Sequence, residues 1–348
     1  MALRVLMALG GGRIGGAEAF FVSLAAAFKR AGLDAHAVLR DSPIHLAELK
    51  AAGVPFETAR FGPGWDIFTT ARIRALARSL RPDVALAFAS RANARMPRGP
   101  YPLIGRLGGY YKLKHFRHCD HLVCNAPDLV RHVVEAGWPK ERVTLIPNFP
   151  NVMAGAPIPR ATLGTPEGVP LALALGRFHR NKAMDTLIKA MELVPDLWLW
   201  LAGEGEERAS LESLARKLGV SKRVKFLGWR TDRGALFRSV DFCVYPSREE
   251  PFGNVVVEAW GYGVPLVTTA SRGPSWLAKN GEDAIVVPVD DPSTLAEGMR
   301  GLAGSKALGE RLAANGSKRV AAEFSETAVV RRYVDLFERE IVKRKTAA

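Results

Sequence analysis

The 348 residues exceed what one ordinary hydrophobic core fills and suit two domains, while 48% hydrophobic and 24% charged residues exclude a disordered or fibrous chain. A formal net charge of +14 favours anionic partners, whether nucleotides, acidic glycans, nucleic acid or an anionic membrane, over a merely solvated basic surface. The three cysteines, Cys119, Cys124 and Cys243, are odd in number and lack C-x-x-C spacing, which argues against zinc and against a disulfide framework and fits a reducing cytoplasm.

In chain order, Leu3–Leu9 reads as a strand that passes directly into glycines, with no small-residue cleavage site of a signal peptide. Helical spacing over Ala17–Ala31 ends at Gly32, Asp34–Leu39 is a strand, and Ile44–Ala52 is a helix ending at Gly53. A basic helix over Ile67–Leu80 precedes strands at Val84–Phe88, Leu103–Leu107 and His121–Cys124. A helix over Pro127–Ala136 and a strand at Val143–Ile146 close this half. Residues 151–168 are rich in proline, glycine and small side chains and read as a linker. The alternation then restarts: strands at Pro170–Leu175, Leu197–Ala202, Val224–Leu227, Phe242–Tyr245, Pro265–Thr268 and Ala284–Val287; helices at Lys182–Leu193, Ala209–Leu218, Ala235–Ser239, from about Gly253, and from Ser293 onward. Only Lys343–Ala348 has a composition suited to disorder. No stretch approaches the ~20 apolar residues that span a bilayer, so membrane contact is expected to be peripheral.

This βαβ alternation predicts an α/β fold of two Rossmann-like, doubly wound domains facing a cleft. The expected division is 1–150, a linker over 151–168, 169–325, and a C-terminal helix over 326–348 that packs back on the first domain. Ligands of such sheets bind beyond the carboxyl ends of the strands.

Gly10, Gly12 and Gly15 match G-x-G-x-x-G between the first strand and the first helix, with Asp41 at a tolerable distance for a ribose acid. Extra glycines and Arg13 inside the loop weaken a dinucleotide reading. A tight turn, or a loop whose amides approach a sugar or phosphate, stands beside it.

Four segments of the second half carry more. Arg177 and Lys182 flank a strand-to-helix loop after Gly176, where two cations could grip a diphosphate. Gly203-Glu204-Gly205 ends a strand in a turn of a kind that is often purely structural. Trp229 and Arg230 follow a strand ending at Gly228 and could stack on a base, with core packing at least as good a reading for Trp229. The strongest segment runs from Pro246 to Ala259. Glu250 falls on its loop and Glu258 about one turn into its helix, with the amides of Gly253, Asn254 and Val255 between them. That layout suits ribose, diphosphate and sugar in a row.

These segments resemble glycosyltransferase family 4, retaining enzymes of the GT-B fold. The marks are Gly-Arg…Lys…Leu-Ile-x-Ala, Glu-x7-Glu ending Glu-Ala, and Gly-x-Pro-Leu-Val in the second half, with Gly-Gly-Ala-Glu at residues 15–18 in the first. The resemblance implies that Arg177 and Lys182 bind the diphosphate and that Glu250 contacts the transferred sugar, with Phe252 and Gly253 nearby. It also implies that Asn254 and Val255 touch phosphate, Glu258 binds ribose, and Gly15 and Gly16 approach the donor from the other domain. It implies no cofactor and no metal, and the chain has no Asp-x-Asp to hold one. Many relatives carry a histidine at the end of a first-domain strand. The matching region here reads Arg106-Leu107-Gly108-Gly109-Tyr110-Tyr111, which leaves the acceptor-side catalytic group unassigned. The resemblance implies transfer from a UDP-sugar, or next from GDP-mannose, to a glycan or glycolipid in lipopolysaccharide or other envelope synthesis. An epimerase or similar nucleotide-sugar enzyme, an NAD-dependent oxidoreductase and a lectin-like binder are the alternatives.

The first 150 residues hold about 21 basic against about 11 acidic side chains, roughly +10. Between Val84 and Cys119 there is no acid, and Arg91, Arg95, Arg98, Arg106, Lys112, Lys114 and Arg117 interleave with Tyr101, Tyr110, Tyr111 and Phe116. With Arg72, Arg74, Arg78 and Arg81, this face is expected to meet an anionic acceptor at the cytoplasmic side of the inner membrane, a solvated basic face being the plain alternative. Arg106, Tyr110, Lys112 and Lys114 are its candidate contacts. No nucleic-acid-binding signature is present.

Overall fold

The computed structural model describes residues 2–11, 15–62 and 66–346. The chain divides into two compact units: one runs to Asn148 and takes back the chain from Ser325, and the other is Phe149–Phe324.

The first unit contains β1 (Arg4–Leu9), α1 (Gly16–Arg30), β2 (Asp34–Leu39), α2 (Pro43–Ala51), β3 (Phe56–Thr58), α3 (Ile67–Leu80), β4 (Val84–Phe88), α4 (Ala89–Arg95), β5 (Leu103–Leu107), β6 (His121–Cys124), α5 (Pro127–Glu135) and β7 (Val143–Leu145). Its sheet has the order β3-β2-β1-β4-β5-β6-β7, and every pairing is parallel. The second unit contains β8 (Leu171–Leu175), α6 (Met184–Glu192), β9 (Trp198–Ala202), α7 (Arg208–Lys217), β10 (Val224–Gly228), α8 (Arg233–Ser239), β11 (Phe242–Tyr245), α9 (Asn254–Gly261), β12 (Leu266–Thr269), α10 (Arg272–Leu277), β13 (Ile285–Val287), α11 (Pro292–Gly304) and α12 (Lys306–Glu323). Its parallel sheet has the order β10-β9-β8-β11-β12-β13, so the winding reverses between β8 and β11. These are the two Rossmann-like sheets that the alternation predicts.

Parallel strands buried on both faces need apolar residues at every position, and β8 shows why Leu-Ala-Leu-Ala-Leu suits them. Ala172 and Ala174 join a core with Leu199, Leu201, Val244 and the helices α6, α7 and α11. Leu171, Leu173 and Leu175 face the other way, among Trp198, Trp200, Tyr245 and α9. In the first unit, Leu6, Ala8, Ala85, Ala87 and Leu122 pack with Ile73, Leu129 and Val133.

The chain ends in α13 (Glu326–Thr346), which belongs to the first unit. Its Tyr333 and Phe337 rings meet Phe28 of α1 edge-on, with centroids 5.6 and 5.7 Å away. Helix therefore runs through Lys343 to Thr346, where the composition suggests disorder. The short elements β3, α4 and α10 escape the sequence reading because each offers too few residues for periodicity. Residues 151–168 hold more order than their composition implies. Arg160 binds the carbonyls of Ser239 and Val169 and the Asp241 carboxylate, and the Ile158 amide donates to the Ser239 hydroxyl.

Candidate functional site

The loops that follow β8 and β11 leave the sheet on either side of its point of reversal, where doubly wound sheets hold their ligands. After β8 the backbone turns at Gly176, whose φ of +153° is costly for any other residue. A 3-10 turn over Arg180–Lys182 follows, and Ala183, at φ +51°, breaks the predicted continuous helix before α6 begins. The break frees Lys182 from the helix surface.

The Lys182 ammonium binds the Glu250 carboxylate and lies 3.0 Å from the Tyr245 hydroxyl, which donates to Glu250 at 2.6 Å. Burial disfavours the Lys182 charge, but the Tyr245 and Glu250 oxygens outweigh it and hold its pKa above the ordinary lysine value. Burial, and next the Glu250 charge, raises the Tyr245 phenol. The three groups form a charge-assisted network.

Past Glu250 the loop packs Phe252 into the core, and Gly253 takes φ +104° to turn the chain into α9. Glu258, on the second turn of α9, is only 5% exposed, so it is not a solvent-facing helix residue. Its carboxylate binds Arg233, the first residue of α8. Burial pushes the Glu258 pKa up, and Arg233 opposes the shift. Asn254 and Val255 occupy the first turn of α9, just after the left-handed Gly253.

The remaining candidates are placed differently. Arg177 is two-thirds exposed, and its guanidinium meets Glu206 at 3.1 Å, not either site carboxylate. Arg230 donates to Asp232 at 2.8 Å. Trp229 is 46% exposed, which rules out core packing and leaves the indole free to stack. Gly203 and Gly205 are structural: a Cβ on either would collide with the backbone at Gly176 and Phe178, so this turn braces the β8 loop.

In the first unit, Gly15 caps α1 and Gly16 is its first residue. A Cβ on Gly11 or Gly15 would strike the buried Glu18 carboxylate, which lies against both glycines. Gly12, Arg13 and Ile14 lie outside the described residues. Arg106 is a correction. Read as a surface cation, it is 2% exposed, donates to Tyr333 at 3.0 Å and to Asn148, and stacks on Phe20 and Phe88 at 4.5 and 4.8 Å. Its strand is buried on both faces, and a guanidinium there requires partners. Tyr110, Lys112 and Lys114 are exposed, and the Tyr110 hydroxyl binds Asp128.

Sequence reasoning missed three side chains. Tyr245 is hidden in an apolar strand, and Arg233 lies 25 positions before its partner. Arg248 binds Asp185 through two bonds of 2.8 Å, Asp290 at 2.8 Å, Thr186 at 3.0 Å and the Arg180 carbonyl at 2.8 Å. No spacing rule points to any of them. Among the described residues no group of three or more His, Cys, Asp or Glu is arranged to hold a metal ion.

Comparison with known proteins adds to this geometry. Residues 157–319 match the family model described as glycosyl transferases group 1, and residues 14–152 match glycosyltransferase family 4. The chain is 36% identical to the lipopolysaccharide core biosynthesis glycosyltransferase LpsE of Rhizobium meliloti, over 93% of this chain and 96% of that one. It is also 36% identical to LpsD of the same organism, over 96% and 98%. The crystal structure of Anabaena HepE in complex with UDP and glucose superposes with a TM-score of 0.83 at 20% identity, covering 97% and 99% of the two chains. The oxidoreductase alternative finds no support among these matches.

Proposed function

The chain belongs to glycosyltransferase family 4, with the GT-B fold, and on that premise we propose that it transfers a sugar from a nucleoside diphosphate, with retention and without a metal ion, to an acceptor in lipopolysaccharide core synthesis. One observation carries the reading. Two acids on a single loop-and-helix segment, Glu250 and Glu258, are each already paired with a cation at the sheet's point of reversal.

In this reading Glu258 accepts the ribose hydroxyls, and the amides of Asn254 and Val255 meet the diphosphate. Lys182, with Arg177 released from its exposed partner Glu206, neutralises the leaving phosphate. Glu250 orients the sugar. The bond between the anomeric carbon and the β-phosphate oxygen breaks, and the acceptor oxygen bonds to the same face. The acceptor proton passes to the departing phosphate. A UDP-sugar is the preferred donor, supported by the UDP complex of HepE, and GDP-mannose is next. Among the described residues no helix is long and apolar enough to cross a membrane, and we place the enzyme at the cytoplasmic face of the inner membrane, bound peripherally.

Thermal melting tests the donor site. A ligand that binds only the folded state at 100 times its Kd stabilises by about 2.7 kcal/mol, so UDP or GDP should raise the Tm by several degrees and NAD should not. A shift with NAD alone would contradict the reading.

A further inference from the structure

The carboxyl ends of β2 and β3 and the first turns of α3 enclose a pocket lined by residues that include Arg40, Thr58, Arg60, Phe68 and Arg72. It lies at the edge of the first unit's sheet, where β3 is the last strand, and no residue assigned to the donor above lines it. Most of its nearby acids are engaged. Asp66 accepts from the Gly62 amide at 2.7 Å and from the Thr69 amide and hydroxyl at 3.0 and 2.6 Å. Glu57 holds Arg72 at 2.9 Å, and Asp41, which also lines the pocket, is exposed beside Arg40. Arg40 and Arg60 are exposed, and no hydrogen bond or ion pair joins them to the other described residues.

Beside these cations stand two exposed apolar side chains: Ile67 is 63% exposed and Phe68 76%. The helix that carries them has Arg72, Arg74 and Arg78 on its exposed surface and no acid along its length. A soluble anion would use the guanidiniums and leave the aromatic ring in water. A lipid surface uses both, since phosphate or carboxylate headgroups meet the arginines while the ring and the isoleucine enter the interface.

We propose that this pocket and the amino end of α3 form the docking surface for acidic headgroups of membrane lipid. Arg40 and Arg60 grip a phosphate or carboxylate, and Ile67 and Phe68 enter the interface. The proposal deepens the reading of a membrane-borne acceptor and rests on it. It narrows the expected basic face to its α3 part, adds Arg40 and Arg60 beside β2 and β3, and leaves out the buried Arg106.

Flotation of the full chain with vesicles tests it. The parent should bind phosphatidylglycerol-containing vesicles well above phosphatidylcholine vesicles at low salt, and lose that preference at high salt. The double variant R40Q/R60Q removes no hydrogen bond or ion pair among the described residues. At about 1 kcal/mol per cation near an anionic surface it should lose roughly 30-fold in affinity for the acidic vesicles. Phe68→Ser should weaken binding to both vesicle types. Acidic-vesicle binding by R40Q/R60Q equal to the parent's would overturn the proposal. So would displacement of the parent by excess glycerol 3-phosphate together with undiminished flotation of Phe68→Ser, since the pocket would then take a free anion. The UDP-induced melting shift, read on the same proteins, keeps the two readings apart. It should be unchanged in R40Q/R60Q. A parent that floats but shows no UDP shift loses only the donor assignment, and one with the shift but no vesicle preference loses only this surface.

Discussion

Glu258 combines features that rarely coexist in a helix glutamate: near-complete burial, one guanidinium partner and a place one turn past a helix start. Glu258→Gln keeps the shape and removes the charge that Arg233 uses and that the proposed ribose contact needs. It should weaken UDP binding by one to two orders of magnitude, the scale of a lost hydrogen bond to a charged group, with far-UV circular dichroism unchanged. Calorimetric titration checks it, and parent-like affinity would remove Glu258 from the site. Lys182→Ala should instead lower kcat by about 10²–10³, as the loss of a group that stabilises developing charge does, and should leave Tyr245 and Glu250 sharing one uncompensated charge. The sequence makes Lys182, Glu250 and Glu258 legible because their loop-and-helix spacing is local. It hides Tyr245 and Arg233, whose roles exist only once separate strands and helices converge. It misreads Arg106 because an arginine among basic and aromatic residues looks solvated until Phe20, Phe88, Asn148 and Tyr333 close around it.

The loops after β8 and β11 carry the two halves of the proposed donor site, and Arg248 ties them together. Its backbone amide donates to the Asn181 carbonyl at 2.8 Å, one residue before Lys182. Its guanidinium reaches the Arg180 carbonyl, Asp185 at the start of α6, and Asp290. The facing carboxylates raise its pKa, so the clamp stays charged throughout the useful pH range. From the other side, the Gly273 amide of α10 donates to the Glu250 carbonyl at 2.8 Å, and a side chain at Gly273 would collide with Phe252. Arg248→Ala should let the Lys182 and Glu250 loops drift. A displacement near 1 Å costs about 10²-fold in rate, so kcat should fall by one to two orders while the donor KM changes little, with partial rescue in Arg248→Lys. Equal loss in both variants through KM alone would make Arg248 a binding group instead. Most long strands and helices were legible from apolar runs and glycine stops. The six-residue α10 and the left-handed break at Ala183 were not, since both are imposed by the packing of the site loops.

Across the whole molecule, the chain's return through α13 brings Glu340 against His121 of β6, with Nδ1 3.2 Å from Oε1 and the Thr144 hydroxyl 2.8 Å from Nε2. Arg339 and Lys343 also hold Glu340, and Arg142 lies near. Burial pushes the His121 pKa down to about 4, and the neighbouring cations add to the effect of burial against the pull of Glu340. The unfolded chain therefore takes up this proton first. The contribution to stability is complete above about pH 6.5 and is lost as pH falls toward 4, to a limit of about 3 kcal/mol. Melting temperature against pH should show this slope in the parent and a flatter one in His121→Gln. The excess of positive charge, by contrast, marks an anionic partner without locating it, because net charge carries no geometry. A diphosphate leaving group held by Lys182 between two acids is tested most directly by slow donor hydrolysis, followed by proton NMR in EDTA with UDP-glucose, UDP-galactose and GDP-mannose as donors. Release of free sugar first in the donor's own anomeric form, by the parent and not by Lys182→Ala, is the predicted result. Release in the opposite form, a strict need for added metal, or full activity of Lys182→Ala would contradict it.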